Sequence, residues 1–164
     1  HKEEGNVFTT IRDFVQEWKD ESAATERILD ALTDASLPTR VAPGHRTLGE
    51  IAWHLVTTIH EMLSLAGLKF ESPGDEKQTP NSAKAIADAY RATSRAMLDA
   101  VKTQWNDESL REVQNMFGQS WANGLTLHIL IQHQTHHRGQ MTVLMRQAGL
   151  RVPGVYGPSK EEWA

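Results

Sequence analysis

Apolar residues recur at helical spacing through four long segments of this 164-residue chain. In each segment they return every three or four residues, as they do on the buried face of an amphipathic helix. No alternating pattern rich in Val and Ile, of the kind that predicts strands, competes with these segments. The sequence therefore predicts an all-α protein built as a four-helix bundle.

Capping and turn residues mark where the predicted helices begin and end. Thr47-Leu48-Gly49-Glu50 is a capping-box pattern that begins the second helix. Gly149 is expected to end the fourth helix in a left-handed conformation, with Leu150 completing a Schellman motif. The helices are expected at about residues 7–34, 47–67, 79–104 and 124–148. Between the third and fourth helices we expect irregular chain with a short helical turn, and after Gly149 a Pro- and Gly-rich tail.

Length and charge restrict the classes of function. The chain has the size of one ordinary domain, so a single domain spanning residues 1–164 is expected. A net charge of -4, with Lys and Arg scattered along the chain, predicts no nucleic-acid partner. No apolar run approaches the ~20 residues that cross a bilayer, and residues 1–8 lack the apolar part of a signal peptide. We expect a soluble cytoplasmic protein that binds no membrane.

Two histidines stand four residues apart within His133-Gln134-Thr135-His136-His137-Arg138-Gly139-Gln140. On a helix such residues share a face, so His133 and His137 can direct ring nitrogens at one point. The periodicity places both in the predicted apolar stripe, His136 at its edge and His128 on the opposite face. Because the chain has no Cys, a metal site would use nitrogen and oxygen donors. We interpret His133 and His137 as candidate metal ligands.

A third ligand would come from another part of the chain. His54 lies at the flank of the apolar stripe of the second predicted helix, whereas His60 projects almost opposite that stripe. His45, in a predicted loop, stays open as an alternative. The residues alone leave His54 balanced between a ligand and a boundary histidine that is hydrogen-bonded to a neighbour.

Trp53-His54-Leu55, together with the segment from His133 to Gln140, resembles the DinB-like family of bacterial proteins, also called the damage-inducible or YfiT-like superfamily. The likeness covers essentially the whole chain, including the loop after the second helix and the Pro-Gly-Val-Tyr-Gly-Pro tail. It implies a four-helix bundle with a long crossover connection and an irregular C-terminal tail. It also implies a homodimer and a divalent metal ion, usually zinc or nickel, bound by three histidines.

The resemblance transfers the ligand positions to His54, His133 and His137 of this chain. His136 occupies a position that varies among relatives, with tyrosine common, which implies that it is not a ligand. Relatives of known activity in the wider superfamily are transferases or isomerases that use a low-molecular-weight thiol such as bacillithiol or mycothiol. The resemblance therefore implies a thiol-dependent transferase that acts on a small-molecule substrate.

Three neutral imidazoles with an open fourth position are typical of catalytic zinc, and such a site activates a bound thiol or a bound water. Gln134 stands where a His-Glu-x-x-His peptidase carries its general base, which argues against a peptidase. Glu61, seven residues after His54, is the only carboxylate that the sequence nominates as a base, although a solvated carboxylate on the helix flank is the more common role for such a residue. Two alternatives stay open, a metal-dependent hydrolase and a dimerising, metal-binding stress-response bundle without catalysis.

Four further residues have predicted roles. Gln140, one turn beyond His137, is a candidate to hydrogen-bond a ligand imidazole. Arg138 is expected to point outward, into solvent or to a salt bridge. Tyr156 and Trp163, in the tail, are expected to pack as ordinary aromatic side chains and not to cap the site.

Overall fold

The computed structural model describes residues 7–163, which form four α-helices and one β-hairpin. The helices are α1 (Ile11–Asp30), α2 (Leu48–Leu65), α3 (Ala83–Gln104) and α4 (Asn123–Gln147). The predicted helical bundle is confirmed, while residues 1–6 and 164 of the predicted domain lie outside the described part. Within that part, no helix combines the length and the hydropathy needed to cross a membrane.

The helices pack so that α1 and α2 each contact both α3 and α4. Helix α1 therefore lies diagonal to α2, and α3 lies diagonal to α4. Residues 31–47 and 105–122 join these diagonal pairs, so the chain makes two crossover connections. The shared interior is filled by large apolar side chains, among them Phe14, Trp18, Leu55, Ile59, Ile86, Met97 and Leu130. This arrangement makes α2 and α4, which carry the candidate ligands, direct neighbours.

Side-chain caps determine where the helices begin. Thr47 Oγ1 accepts a hydrogen bond from the Glu50 backbone N–H at 3.1 Å, and Glu50 Oε1 accepts one from the Thr47 N–H at 2.8 Å. The predicted capping box is thus confirmed. Thr10 caps α1 and Ser82 caps α3 by their side-chain oxygens alone, which accept from the N–H groups of Asp13 and Ala85. Helix α1 is shorter than predicted, because it begins at the Thr10 cap and ends at Asp30.

Helix α4 ends in the predicted Schellman motif. Gly149 has a φ of +80°, a conformation that a residue with a Cβ atom rarely adopts. Its N–H donates to the Arg146 carbonyl at 3.0 Å, and the Leu150 N–H donates to the Met145 carbonyl at 2.9 Å. These two hydrogen bonds pair carbonyls that the helix end would otherwise leave without a donor.

A short β-hairpin between α3 and α4 is absent from the sequence prediction. Strands β1 (Val113–Met116) and β2 (Gln119–Ala122) pair antiparallel, and the expected helical turn precedes them as a 3-10 helix, Asp107–Arg111. Phe117 and Gly118 form a two-residue turn with φ values of 55° and 82°. Such turns usually carry Asn-Gly, and strands of four residues show little periodicity, so the hairpin has a weak sequence signal.

The buried face of α4 is rotated from the predicted one. We placed its centre at the two histidines, but the most deeply buried residues of α4 are Asn123, Thr126, Leu127, Leu130, Gln134, Met141 and Met145. This face lies roughly a quarter turn away from His133. Thr126, Leu130, His137, Met141 and Leu144 of the predicted stripe are buried, but its centre was misplaced because Gln134 and Arg138, two polar residues, also belong to the buried face. The histidines therefore lie at the flank of the core, toward α2.

Gln134 joins three helices inside the core. Its Oε1 accepts hydrogen bonds from Tyr90 Oη of α3 at 2.8 Å and from Thr25 Oγ1 of α1 at 2.9 Å. Burial raises the pKa of the Tyr90 hydroxyl above its ordinary value, so that the hydroxyl keeps its proton. These contacts hold α4 at one rotation about its own axis.

Arg138 is buried, contrary to the prediction that it points outward. Its side chain is 3% exposed, and its Nη2 lies 2.7 Å from Glu21 Oε1. Its Nη1 donates to Thr25 Oγ1 at 3.1 Å. Tyr156 donates its hydroxyl to the Glu21 carboxylate and accepts a hydrogen bond from Arg138. The expected salt bridge is present, but it lies inside the bundle under the C-terminal tail.

We predict that Arg138→Met lowers the free energy of unfolding by about 3–5 kcal/mol, because it leaves the largely buried Glu21 carboxylate without its charged partner. Arg146→Met is the matched control on the same helix, since it breaks the exposed ion pair with Glu161 and is expected to have a much smaller effect. Urea unfolding at pH 7 measures both. Equal losses in the two variants would contradict a stabilising role for the buried pair.

Candidate metal centre

Helices α2 and α4 bring the three predicted ligand histidines together. His54 Nε2 and His133 Nε2 lie 3.0 Å apart. The ring of His137 completes the group, with its centroid 4.9 Å from that of His54 and 4.4 Å from that of His133. One ring nitrogen from each histidine lies within 4.8 Å of the others, so the cluster could hold a metal ion.

The outer ring nitrogens of two of these histidines are held by hydrogen bonds. His54 Nδ1 lies 2.9 Å from Glu76 Oε2, and His137 Nδ1 lies 2.8 Å from Gln140 Oε1. Because both partners are acceptors, the ring protons are assigned to Nδ1. The Nε2 lone pairs are then free, which is the tautomer that a metal ligand requires. The hydrogen bond between Gln140 and His137, expected from their spacing, is confirmed.

Burial keeps the rings of His133 and His137 neutral. Burial, reinforced by the neighbouring imidazoles, lowers the pKa of His133 to about 4, and burial lowers the pKa of His137 as well. Both rings are therefore neutral at pH 7, each with a proton on one of its two nitrogens. The Nδ1 atom of His133 is buried and has no hydrogen-bond partner among the described residues. Of the two nitrogens of this ring, only Nε2 contacts another polar group, the Nε2 of His54.

The donor set fits a divalent metal ion. Zinc binds imidazole nitrogens at about 2.0–2.1 Å, so two ligands of a tetrahedral ion lie about 3.3 Å apart. The 3.0 Å separation of His54 Nε2 and His133 Nε2 is close to that spacing. A metal ion needs unprotonated nitrogen donors, and the free Nε2 lone pairs of His54 and His137 and the neutral ring of His133 can supply them.

Glu76 is a residue of this site that the sequence reasoning missed. It lies in the connection between α2 and α3, for which the composition predicted only a mobile surface loop. Trp53 Nε1 donates to the Asp75 carbonyl at 2.8 Å, and this hydrogen bond holds the connection against α2. The carboxylate beside His54 is therefore Glu76, and not Glu61, which is exposed on α2. No helical or strand period predicts such a contact from a loop.

A cavity of about 570 Å³ opens beside the histidine cluster. His137 and Gln140 form the part of its wall that belongs to the candidate metal site. The rest of its lining consists of Val41, Gly44, His45, Arg46, Ile51, Val143 and Leu144. A space of this size accommodates a small molecule next to the imidazoles.

The other predicted residues lie outside the cluster. His60 Nε2 bonds to the Phe70 carbonyl at 3.2 Å, and His136 Nε2 lies 3.3 Å from Gln140 Nε2. His45 lines the cavity but does not join the three histidines. Tyr156 covers the Glu21–Arg138 pair, and Trp163 is exposed, so neither lines the cavity.

The arrangement of the fold and the histidines can be compared with known proteins. The family model of the DinB family matches residues 6–164. This chain belongs to the DinB family. The expectation drawn from Trp53-His54-Leu55 and the α4 histidines is thereby confirmed, over nearly the whole length of the chain.

Relatives of this DinB-family chain occur in Bacillus. The uncharacterized protein YrdA of Bacillus subtilis (strain 168) is 51% identical over 158 residues, which are 96% of this chain and 95% of YrdA. The crystal structure of a DinB-like protein from Bacillus cereus ATCC 10987 superposes with a TM-score of 0.89 at 51% identity, over 92% of this chain and 100% of that one. The structure of B. subtilis YjoA has a TM-score of 0.69 at 18% identity, over 87% and 96% of the chains, and shares the fold.

We predict that zinc-loaded protein contains about one ion per chain and that His54→Ala and His137→Ala each abolish this content, because two imidazoles bind far more weakly than three. His60→Ala is the control, since His60 lies on α2 outside the cluster. Mass spectrometry after removal of free metal measures the content. Full occupancy in both site variants would exclude this metal centre.

We further predict that Glu76→Ala weakens zinc binding by about 10- to 100-fold, because it removes the acceptor that orients the His54 ring. Glu71→Ala serves as the control, as Glu71 is an exposed glutamate of the same connection. Competition with a chromogenic chelator measures the affinity. An effect of the same size in the two variants would show that Glu76 does not support the site.

Proposed function

We propose that this DinB-family protein is a metal-dependent enzyme that transfers a small thiol, with His54, His133 and His137 binding one divalent ion. The observation that carries the proposal is the convergence of three histidines beside a cavity. Structural zinc usually has four protein ligands, whereas catalytic zinc has three and an open position. Among the described residues the cluster offers three such side chains, which matches the catalytic pattern.

The donor set favours zinc or nickel. Imidazole nitrogen suits both metals, and the absence of Cys from the chain removes thiolate ligands. A divalent ion bound there would supply Lewis acidity that lowers the pKa of a coordinated thiol or water, since three neutral ligands leave its charge uncompensated.

The chain's own residues prepare the site for that chemistry. Glu76 and Gln140 hold the outer nitrogens of His54 and His137, so the two rings keep their orientation without rearrangement. Val143 and Leu144 give the adjacent cavity an apolar wall, which limits the water around a bound reactant. The site is therefore built to present a nucleophile to a small molecule in the cavity.

Thiol transfer fits these residues better than hydrolysis. Gln134, at the position of a peptidase base, points into the core and bonds to Tyr90 and Thr25. Glu76 is occupied by the His54 N–H, and the cavity lining includes no carboxylate. A thiol that has lost its proton to solvent needs no protein base. Its sulfur forms a bond to an electrophilic carbon while the leaving group departs with the electron pair.

The test is a titration of cobalt-substituted protein with bacillithiol, mycothiol and cysteine. We expect a sulfur-to-cobalt charge-transfer band for the physiological thiol, present in His60→Ala and absent from His137→Ala, because direct coordination of sulfur requires an intact site. Metal-dependent conjugation of that thiol to chlorodinitrobenzene then measures turnover. A cobalt spectrum that no thiol changes, together with no turnover, would overturn the proposal in favour of a metal-binding bundle without catalysis.

A further inference from the structure

The cavity beside the histidines combines apolar walls with a positive charge. Val41, Val143 and Leu144 supply apolar surface, and Arg46 supplies a guanidinium group. Val41 is 66% exposed and Val143 is 53% exposed. Only eight large hydrophobic side chains are exposed among the described residues, and two of them line this single cavity. Exposed apolar surface grouped in this way marks a binding site more often than chance exposure does.

Arg46 forms one long, half-exposed ion pair, with Glu76, and can still bind an anion. Its Nη2 lies 3.8 Å from Glu76 Oε2, which is too far for a hydrogen bond, and its side chain is about half exposed. Glu76 Oε2 instead accepts the His54 N–H at 2.9 Å. No hydrogen bond from the Arg46 guanidinium to another described residue is present. The cavity lining itself contains no carboxylate, so Glu76, at 3.8 Å, is the group that a bound anion would compete with.

The backbone around Arg46 is held in place. Arg40 and Thr47 form an antiparallel bridge, and the Leu48 N–H donates to the Thr39 carbonyl at 2.7 Å. The capping box of Thr47 then begins α2 directly after Arg46. Because both ends of this short segment are fixed, the guanidinium extends from a defined point beside the apolar wall.

We propose that this cavity binds a small amphipathic carboxylic acid, with Arg46 pairing with the carboxylate and the Val41–Val143 wall contacting the apolar portion. The inference rests on the proposed function, because the acid would be the electrophilic substrate of the thiol. A single guanidinium presents paired N–H donors that match the two oxygens of a carboxylate. The cavity volume of about 570 Å³ falls within the range of small-molecule sites.

The test compares phenylbutyrate with its neutral analogue, phenylbutyramide, by calorimetric titration. It uses metal-free protein, since a carboxylate can itself coordinate a metal ion. We expect the acid to bind more tightly than the amide. Arg46→Gln is expected to weaken binding of the acid by about three- to five-fold, as for a half-exposed ion pair, and to leave binding of the amide unchanged. Arg40→Gln, in the same connection but outside the cavity lining, is the control.

A second variant tests the apolar wall. Val143→Ser is expected to weaken binding of the acid and binding of the amide by the same factor, because it removes apolar contact surface but no charge. The inference is overturned if neither compound binds, if the acid and amide bind equally, or if Arg46→Gln behaves like Arg40→Gln. It is also overturned if light scattering shows a dimer that Val143→Asp separates and neither compound binds, since a second copy would then cover the wall.

The two proposals fail separately. If a thiol changes the cobalt spectrum but the acid does not bind, the proposed substrate class is overturned and the thiol chemistry is retained. Acid binding that depends on Arg46, without any thiol response, overturns the thiol chemistry and leaves the anion site standing.

Discussion

The rotation of α4 about its own axis determines where the histidines point. This helix carries two pairs of residues, each pair with a spacing of four, and the second pair is shifted by one position from the first. Gln134 and Arg138 face the core, where they bond to α1 and α3, while His133 and His137 lie about 100° around the helix and face α2. Because the hydrogen bonds of Gln134 Oε1 and Arg138 to α1 and α3 hold the helix at this rotation, the second pair is directed at His54. The core polar contacts thereby position the candidate metal site.

Three imidazoles in contact are stable only while they stay neutral, and the residues around the histidine cluster favour the neutral rings. Three imidazoles packed together would repel one another if protonated, and burial already holds the pKa of His133 near 4. Acceptors at the outer nitrogens of His54 and His137 assign the ring protons away from the cluster. The Nε2 lone pairs of His54 and His137 then point into the cluster, where His133 Nε2, 3.0 Å from His54 Nε2, is the protein group that can donate to them. An ion that accepts these lone pairs would stabilise the folded chain, because the unfolded chain offers no such convergence.

The connections between helices supply the rest of the site. The segment before α2 carries Arg46 and Val41, and the connection after α2 carries Glu76, so both loops that flank this helix reach the same end of the histidine cluster. The helices provide rigid positions for the imidazoles, while the loops provide the charged and apolar groups around them. The groups around the imidazoles therefore depend on the loops, and the positions of the imidazoles depend on the bundle.

Local physical chemistry is readable from the sequence, and it determined the four helices, the Thr47 capping box, the Gly149 terminus and the shared face of His133 and His137. Each of these depends on residues within a few positions of one another, whose geometry a helix fixes in advance. The tertiary structure alone decided the rotation of α4, the burial of Arg138 against Glu21, and the contact of Glu76 with His54. Those contacts join residues 117 and 22 positions apart. No local pattern encodes such pairings, because they depend on which helix faces pack together and on where a loop is anchored.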